Sequence, residues 1–277
     1  MATSRRFLQV DVFSPIPTQG NGLAVVVDAE GLDNAQLQAF AAWTNLAETT
    51  FLLPPVDPSA DYRVRIFTPY QELPFAGHPT LGSCVAWLHS GGAPKEPGVI
   101  RQECGIGIID IDSTSERLAF VAPPTSVSPL APDRFDAIAV ALGIPLEAVV
   151  QTATLDNGPV WQVLDLGSAE EVLEVDSSKA RWSPLEFVGL LGAYVPGSEC
   201  DYEVRMLASN GVEDPITGSL NAALAYWLRD QARLDEPVVV SQGTAMGRHG
   251  RVYIRPTPDR IMIGGDTHIL IEGHVTL

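Results

Sequence analysis

His78-Pro79-Thr80-Leu81-Gly82-Ser83 has an echo far down the chain, Asp214-Pro215-Ile216-Thr217-Gly218-Ser219, with Pro, Gly and Ser in the same places. Each copy follows a segment containing Val-Arg, Val64-Arg65 and Val204-Arg205. Each opens an apolar helical stretch containing Trp-Leu, Trp87-Leu88 and Trp227-Leu228. A short match alone is weak. The same strand before it and the same helix after it make it a repeat of whole supersecondary units. Two copies give a pseudo-symmetric pair of lobes rather than a solenoid. The stretch between them that reads as a linker is Pro123-Pro124-Thr125-Ser126-Val127-Ser128-Pro129, rich in Pro and Ser and without periodicity. The expected lobes are residues 1–122 and 126–265.

Outward from the repeat, strands and helices alternate. Tyr62, Val64 and Ile66 alternate with Arg63, Arg65 and Phe67 as a strand. Ala24 to Val27 and Thr50 to Leu53 are short apolar runs of strand length, and Asp33 can cap a helix between them with Leu37, Phe40 and Ala41 on one face. Helices are expected from about Pro79 to His89 and from about Gly218 to Leu234. Val99 to Ile111, broken near Gly105 and Gly107, reads as a strand pair, and Leu118 to Val121 as another strand. After the linker, Phe135, Ile138, Ala139 and Leu142 form a helical face ended by Gly143 at the C-terminal cap position. Ser183-Pro184-Leu185-Glu186 reads as a capping box with Pro at the first helical position. Tyr202 to Leu207 is a strand, and further strands lie near Val238, Val252, Ile261 and Ile269.

The chain has 17 basic and 34 acidic residues among 277, a net charge of -17. So acidic a surface repels phosphate backbones, which argues against nucleic acid as a partner. No apolar run approaches the ~20 residues of a membrane helix. Ser4-Arg5-Arg6-Phe7-Leu8 faintly resembles a twin-arginine export signal, but Asp11 and Pro15 break the apolar run such a signal needs, and a first strand from Phe7 to Phe13 is the expectation. Cys84, Cys104 and Cys200 form no CxxC, which suits a reducing cytoplasm, and the five histidines show no metal spacing.

The repeat places Gly, Ser and Pro at two helix starts. First-turn N–H groups lack partners within the helix, and the helix dipole adds to their pull on an anion. Two such ends facing one cleft would hold a carboxylate despite the acidic surface, with Ser83 and Ser219 adding hydroxyl donors. Plain capping explains the same residues if each copy is taken alone. By this alignment His78 and Asp214 are equivalent, and together they form an orienting pair or an acid and a base. Glu48 sits between a helix and an apolar strand, flanked by Leu46, Ala47 and Phe51. Apolar surroundings raise a carboxyl pKa and let one group both take and return a proton; an exposed loop glutamate is the plainer reading.

Asn45-Leu46-Ala47-Glu48-Thr49-Thr50-Phe51 resembles the N-L-S-E-T-T-F signature of the phenazine-biosynthesis PhzF-like family. Arg65-Ile66-Phe67-Thr68-Pro69 and Glu72 through Gly82 are similar to its R-I-F-T-P and E-L-P-F-A-G-H-P-T-L-G segments. Glu213 to Ser219 resembles E-D-P-V-T-G-S, and Asp11-Val12-Phe13 with Gly20-Asn21-Gly22-Leu23-Ala24-Val25 resembles D-V-F…G-N-P-L-A-V. The resemblance runs in order along the whole chain. It implies an α+β, diaminopimelate epimerase-like fold: two lobes, each a curved mixed sheet around a central helix, with the last strand, residues 266–277, returning to the first lobe. It implies Glu48 as the acid/base, with His78, Asp214 and Ser219 binding and orienting substrate, and Gly77 and Gly218 at the helix starts. Gly22 departs from the family's Pro and Ala47 from its usual Ser.

The related epimerases carry a catalytic Cys at the start of each central helix. Ala76 and Thr217 stand at the nearest positions here, so that thiol pair is missing. The resemblance implies an isomerase that needs neither cofactor nor metal, moves a proton on a small carboxylic acid and forms a homodimer, in the cytoplasm that the cysteines suit. The alternatives are a thiol-free epimerase or lyase on an amino or hydroxy acid, and a small-acid binder without catalysis.

Overall fold

The computed structural model describes residues 3–277. The chain divides into two compact units. One comprises the chain up to Val121 together with Gly264–Leu277, the other Ala122–Ile263.

In the first unit the elements are β1 (Ser4–Val12), β2 (Asn21–Val26), α1 (Asn34–Thr44), β3 (Glu48–Leu53), β4 (Tyr62–Phe67), β5 (Glu72–Leu73), α2 (Gly77–His89), β6 (Val99–Cys104), β7 (Gly107–Asp112) and β8 (Ala119–Val121). β1 runs antiparallel to β2, and β2 parallel to β3 with Leu23 opposite Glu48. The parallel pair requires a crossover, which α1 supplies. Asp33 and Gln36 cap α1 reciprocally, and Asn45 ends it in the left-handed region at φ 54. β3 pairs antiparallel with β4, which is antiparallel to β5 and parallel to β6. β6, β7 and β8 continue as an antiparallel meander. The chain's last strand returns to lie antiparallel to β1.

α2 is the core of this unit. It is buried from Gly77 through Cys84 and packs against β1, β2, β3, β4, β6 and β8. Gly82 permits the approach: a Cβ there would stand 2.6 Å from Leu23 Cδ2 and 2.9 Å from Val10 Cγ2. Leu81 is wholly buried, a gain of about 1.5–3 kcal/mol for such a side chain.

The second unit contains β9 (Ser126–Ser128), α3 (Pro132–Leu142), β10 (Gln151–Asp156), β11 (Val160–Ser168), α4 (Ala169–Glu174), β12 (Phe187–Ala193), β13 (Tyr202–Ala208), β14 (Val212–Asp214), α5 (Gly218–Asp230), β15 (Val238–Gln242), β16 (Gly250–Pro256) and β17 (Ile261–Gly264); β18 (Thr267–Thr276) is the returning strand of the first. The pairing repeats that of the first unit. β10 and β11 are antiparallel, β11 and β12 parallel across α4, and β12 and β13 antiparallel. β13 is antiparallel to β14 and parallel to β15, and β15 is antiparallel to β16. α5 is buried on nearly every face, as α2 is. The same order of parallel and antiparallel neighbours around one buried helix makes the two units copies of one design.

Three expectations need correction. The Pro/Ser-rich stretch is no bare linker, since Ser126–Ser128 pair with β10. No helix follows Ser183: Glu186 accepts from Arg134 and Trp182, its N–H is taken by Ser209 Oγ, and Phe187 begins β12. Sheet neighbours on both sides of that apolar run overrule the local capping pattern. The reciprocal cap of this region lies earlier, at Ser168 and Glu171. α5 ends at Asp230, short of Leu234.

The repeat itself is real, but its register differs from that of the Pro-x-x-Gly-Ser match. Arg65 pairs with both carboxylate oxygens of Glu72 at 2.7 and 2.6 Å, and Arg205 with both of Glu213 at 2.8 and 2.9 Å. Ala76 and Thr217 are the N-caps, and the fourth residue beyond each, Thr80 or Asn221, donates to the cap carbonyl at 2.9 Å. A buried glutamine holds that same residue in each unit, Gln102 to Thr80 and Gln242 to Asn221. Glu72-Leu73-Pro74-Phe75-Ala76-Gly77-His78 is therefore the counterpart of Glu213-Asp214-Pro215-Ile216-Thr217-Gly218-Ser219. His78 corresponds to Ser219, and Asp214 to Leu73. The equivalence of His78 with Asp214 does not hold.

Candidate active site

β2 and β3 run parallel, so their first residues, Asn21 and Glu48, emerge at the same end of the sheet. α2 begins there too, with Gly77 first and His78 second. Glu48 Oε2 lies 3.3 Å from His78 Nε2, with the side chains 15% and 4% exposed. On the other side of the ring Asn21 Nδ2 lies 3.5 Å from His78 Nδ1. Burial pushes the His78 imidazole down to about 3, so it is neutral at neutral pH. The positive end of α2 acts in the same direction. Nε2 has no well-aligned partner, so the contact with Glu48 is close but oblique; such bonds commonly tighten only when substrate arrives. Gly22 is not forced by packing, since an added Cβ would meet only Leu46 Cδ2 at 3.9 Å.

In the second unit Asp214, Gly218 and Ser219 lie together at the start of α5. Thr217 Oγ1 donates to Asp214 Oδ2 at 2.6 Å and accepts from Gln242 Nε2 at 3.1 Å. Gln242 Oε1 accepts from Thr217 N and Asn221 Nδ2 at 3.0 and 2.8 Å. Gly218 and Ser219 are the first two helical residues, and Asn157 Nδ2 donates to the Ser219 carbonyl at 2.8 Å. Arg205 is buried and braces the hairpin that carries Asp214, through Glu213 and through the carbonyls of Val172 and Val175.

Ser83 does not serve as a donor at either helix start. It lies inside α2, wholly buried, and its hydroxyl is given to Thr50 Oγ1 at 2.9 Å. The sheet register also shows what the second unit lacks. Thr49 stands opposite Phe67 as Val188 stands opposite Leu207, which makes Phe187 the counterpart of Glu48. The first unit thus carries a carboxylate where the second carries a phenyl ring. The N-cap positions offer Ala76 and Thr217, and neither is a thiol.

Cys84 lies buried in α2 with its thiol pushed up to about 12 by desolvation, so it supplies no thiolate. Among the described residues no three or more His, Cys, Asp or Glu side chains are grouped to hold a metal ion, and no helix is long and apolar enough to cross a membrane. Sequence reasoning misses Asn21, Thr217 and Gln242 as parts of the site. Asn21-Gly22 and Asn157-Gly158 at matching hairpins are a visible signal for two asparagines, whereas Gln242 reaches α5 only through the fold.

The chain matches the family described as phenazine biosynthesis-like protein over residues 10–275. It is 32% identical over 292 residues to antisense-enhancing sequence 1 of Schizosaccharomyces pombe, covering 98% of each chain. It is 30% identical over 258 residues to the trans-2,3-dihydro-3-hydroxyanthranilate isomerase of Pseudomonas fluorescens, covering 90% of this chain and 89% of that protein. The PhzF-family phenazine biosynthesis protein of Bacillus anthracis superposes with a TM-score of 0.82 over 99% of this chain and all of its own; at 20% identity this likeness speaks for the fold alone.

Proposed function

Because the chain belongs to the phenazine biosynthesis-like family and is an isomerase by that kinship, we propose that it moves a proton between two carbons of a small carboxylic acid, with Glu48 as the group that takes and returns it. The observation that carries this reading is the 3.3 Å approach of Glu48 to a buried, neutral His78 at a helix start. A carboxylate there removes a proton from carbon next to the substrate carboxylate or an activated double bond. His78 donates a hydrogen bond rather than a charge. Gly77 at the start of α2, and Gly218 and Ser219 at the start of α5, are substrate-binding residues in this reading, each helix start offering an anion N–H groups that have no partner inside the helix. Asp214, fixed by Thr217, orients a polar group. No cofactor enters these steps. The acidic, disulfide-free chain is proposed to work in the cytoplasm as a homodimer.

Isomerisation is favoured over epimerisation by what the site lacks: Ala76 and Thr217 stand where the related epimerases carry a thiol pair, and the place of Glu48 in the second unit is taken by Phe187, which neither takes nor gives a proton.

The test uses trans-2,3-dihydro-3-hydroxyanthranilate, the acid named for the Pseudomonas fluorescens relative, and a panel of related cyclic and amino acids in heavy water. An isomerase places deuterium on a carbon other than the one deprotonated. Label confined to one stereocentre with inversion would make it an epimerase, and binding without label would make it a binder.

A further inference from the structure

His78 is contacted on both ring nitrogens, by Asn21 Nδ2 at Nδ1 and by Glu48 Oε2 at Nε2, at 3.5 and 3.3 Å. A neutral imidazole carries one proton, and the nitrogen that holds it decides what the ring can do for its neighbours. An amide NH₂ only donates, so a ring that meets it at Nδ1 must accept there and carry its proton on Nε2. The reverse arrangement, with the amide oxygen facing an Nδ1–H, would set the Nε2 lone pair against an ionised Glu48. With Glu48 ionised, the form that takes a proton, both contacts are favourable together in one state only.

We infer that Asn21 is a positioning residue that holds His78 as its Nε2–H tautomer and so directs one N–H at Glu48. Asn21 is suited to this. It is 2% exposed, opens β2 in register with Val12, and is set by the sheet rather than by a loose loop. Directed across 3.3 Å at Oε2, that N–H closes into an aligned bond when substrate arrives, fixing the rotamer of Glu48 and leaving Oε1 for the proton transfer. An imidazole with Nδ1 occupied also has no second site from which to pass a proton away from Glu48. The consequence for catalysis rests on the reading of Glu48 as the base; the tautomer does not.

The experiment is long-range proton–nitrogen NMR on the full chain labelled with ¹⁵N-histidine, with His78 assigned by its loss in His78→Gln. The wild type at neutral pH should show a protonated Nε2 and an unprotonated Nδ1. Glu48→Ala should leave that pattern in place. Asn21→Asp keeps the size and removes the donor, so Nδ1 should become protonated, and deuterium wash-in should fall by about 100-fold, the scale of general acid–base help. Should Asn21→Asp not fold, Asn21→Ala in the Glu48→Ala background should give mixed tautomers. A protonated Nδ1 in the wild type, a tautomer that follows Glu48→Ala, or an Asn21→Asp spectrum like the wild type overturns the inference. Inversion of the tautomer with wash-in untouched would confirm Asn21 and remove Glu48 as the base.

Discussion

Acidification should unfold this protein through His78 more than a surface histidine would allow. The folded imidazole is pushed by burial from its ordinary 6.5 down to about 3, while in the unfolded chain it regains the ordinary value. The folded pKa lies below the unfolded one, so as pH falls the unfolded chain takes up a proton that the folded chain refuses. Stability from this residue is therefore complete above about 6.5 and drains as pH falls toward about 3. At about pH 4.5, two units into that window, the loss is about 3 kcal/mol, at about 1.4 kcal/mol per unit. Other groups titrate in the same range, so the quantity to measure is the difference between wild type and His78→Gln. Urea unfolding followed by tryptophan fluorescence at about pH 7 and about pH 4.5 should show the wild type losing about 3 kcal/mol more than the variant. Parallel losses in the two proteins would refute a buried neutral imidazole. A wild type that gains on the variant at low pH would mean that Glu48 holds His78 as a cation.

Ser219→Ala should weaken ligand binding more than it slows chemistry, by about 1–3 kcal/mol in calorimetry if a charge-assisted hydrogen bond is lost. Arg205→Ala should destabilise by about 3–5 kcal/mol in denaturation, because it removes a buried guanidinium and leaves a largely covered Glu213 unpaired, whereas the more exposed Arg65→Ala should cost about 1 kcal/mol or less; equal costs would deny the burial argument. Light scattering at micromolar concentration should return a dimeric mass, and a monomer would remove the homodimer from the account.

The two helix starts are legible in the sequence because glycine, proline and small polar residues mark such places whatever surrounds them. The alternation of strands is legible where apolar runs are bounded by turns, as at Tyr62–Phe67. The internal repeat is legible too, but in a false register. Pro-x-x-Gly-Ser recurs inside α2 for a packing reason, the approach of Gly82 to Leu23, and this masks the correspondence of Gly77 with Gly218. The true register rests on ion pairs spaced 7 and 8 residues apart, a spacing that means nothing until the hairpins are formed. Gln151–Asp156, Val160–Ser168 and the short α4 carry too little periodicity to announce themselves. Ser83 looks available in the sequence because nothing there shows Thr50 across the core. Glu48 is found by resemblance more than by pattern, and its contact with His78 joins residues from a strand and a helix that only the parallel β2–β3 pair brings to one end.

Glu48 as the base is the central claim, and Glu48→Gln tests it most directly, because Gln keeps the shape and removes the titrating group. Deuterium wash-in to a bound acid, measured beside calorimetric affinity, should fall by about 10²–10⁴-fold or more while affinity stays within about tenfold. Wash-in at the wild-type rate would contradict the account and pass the role of base to His78 or Asp214.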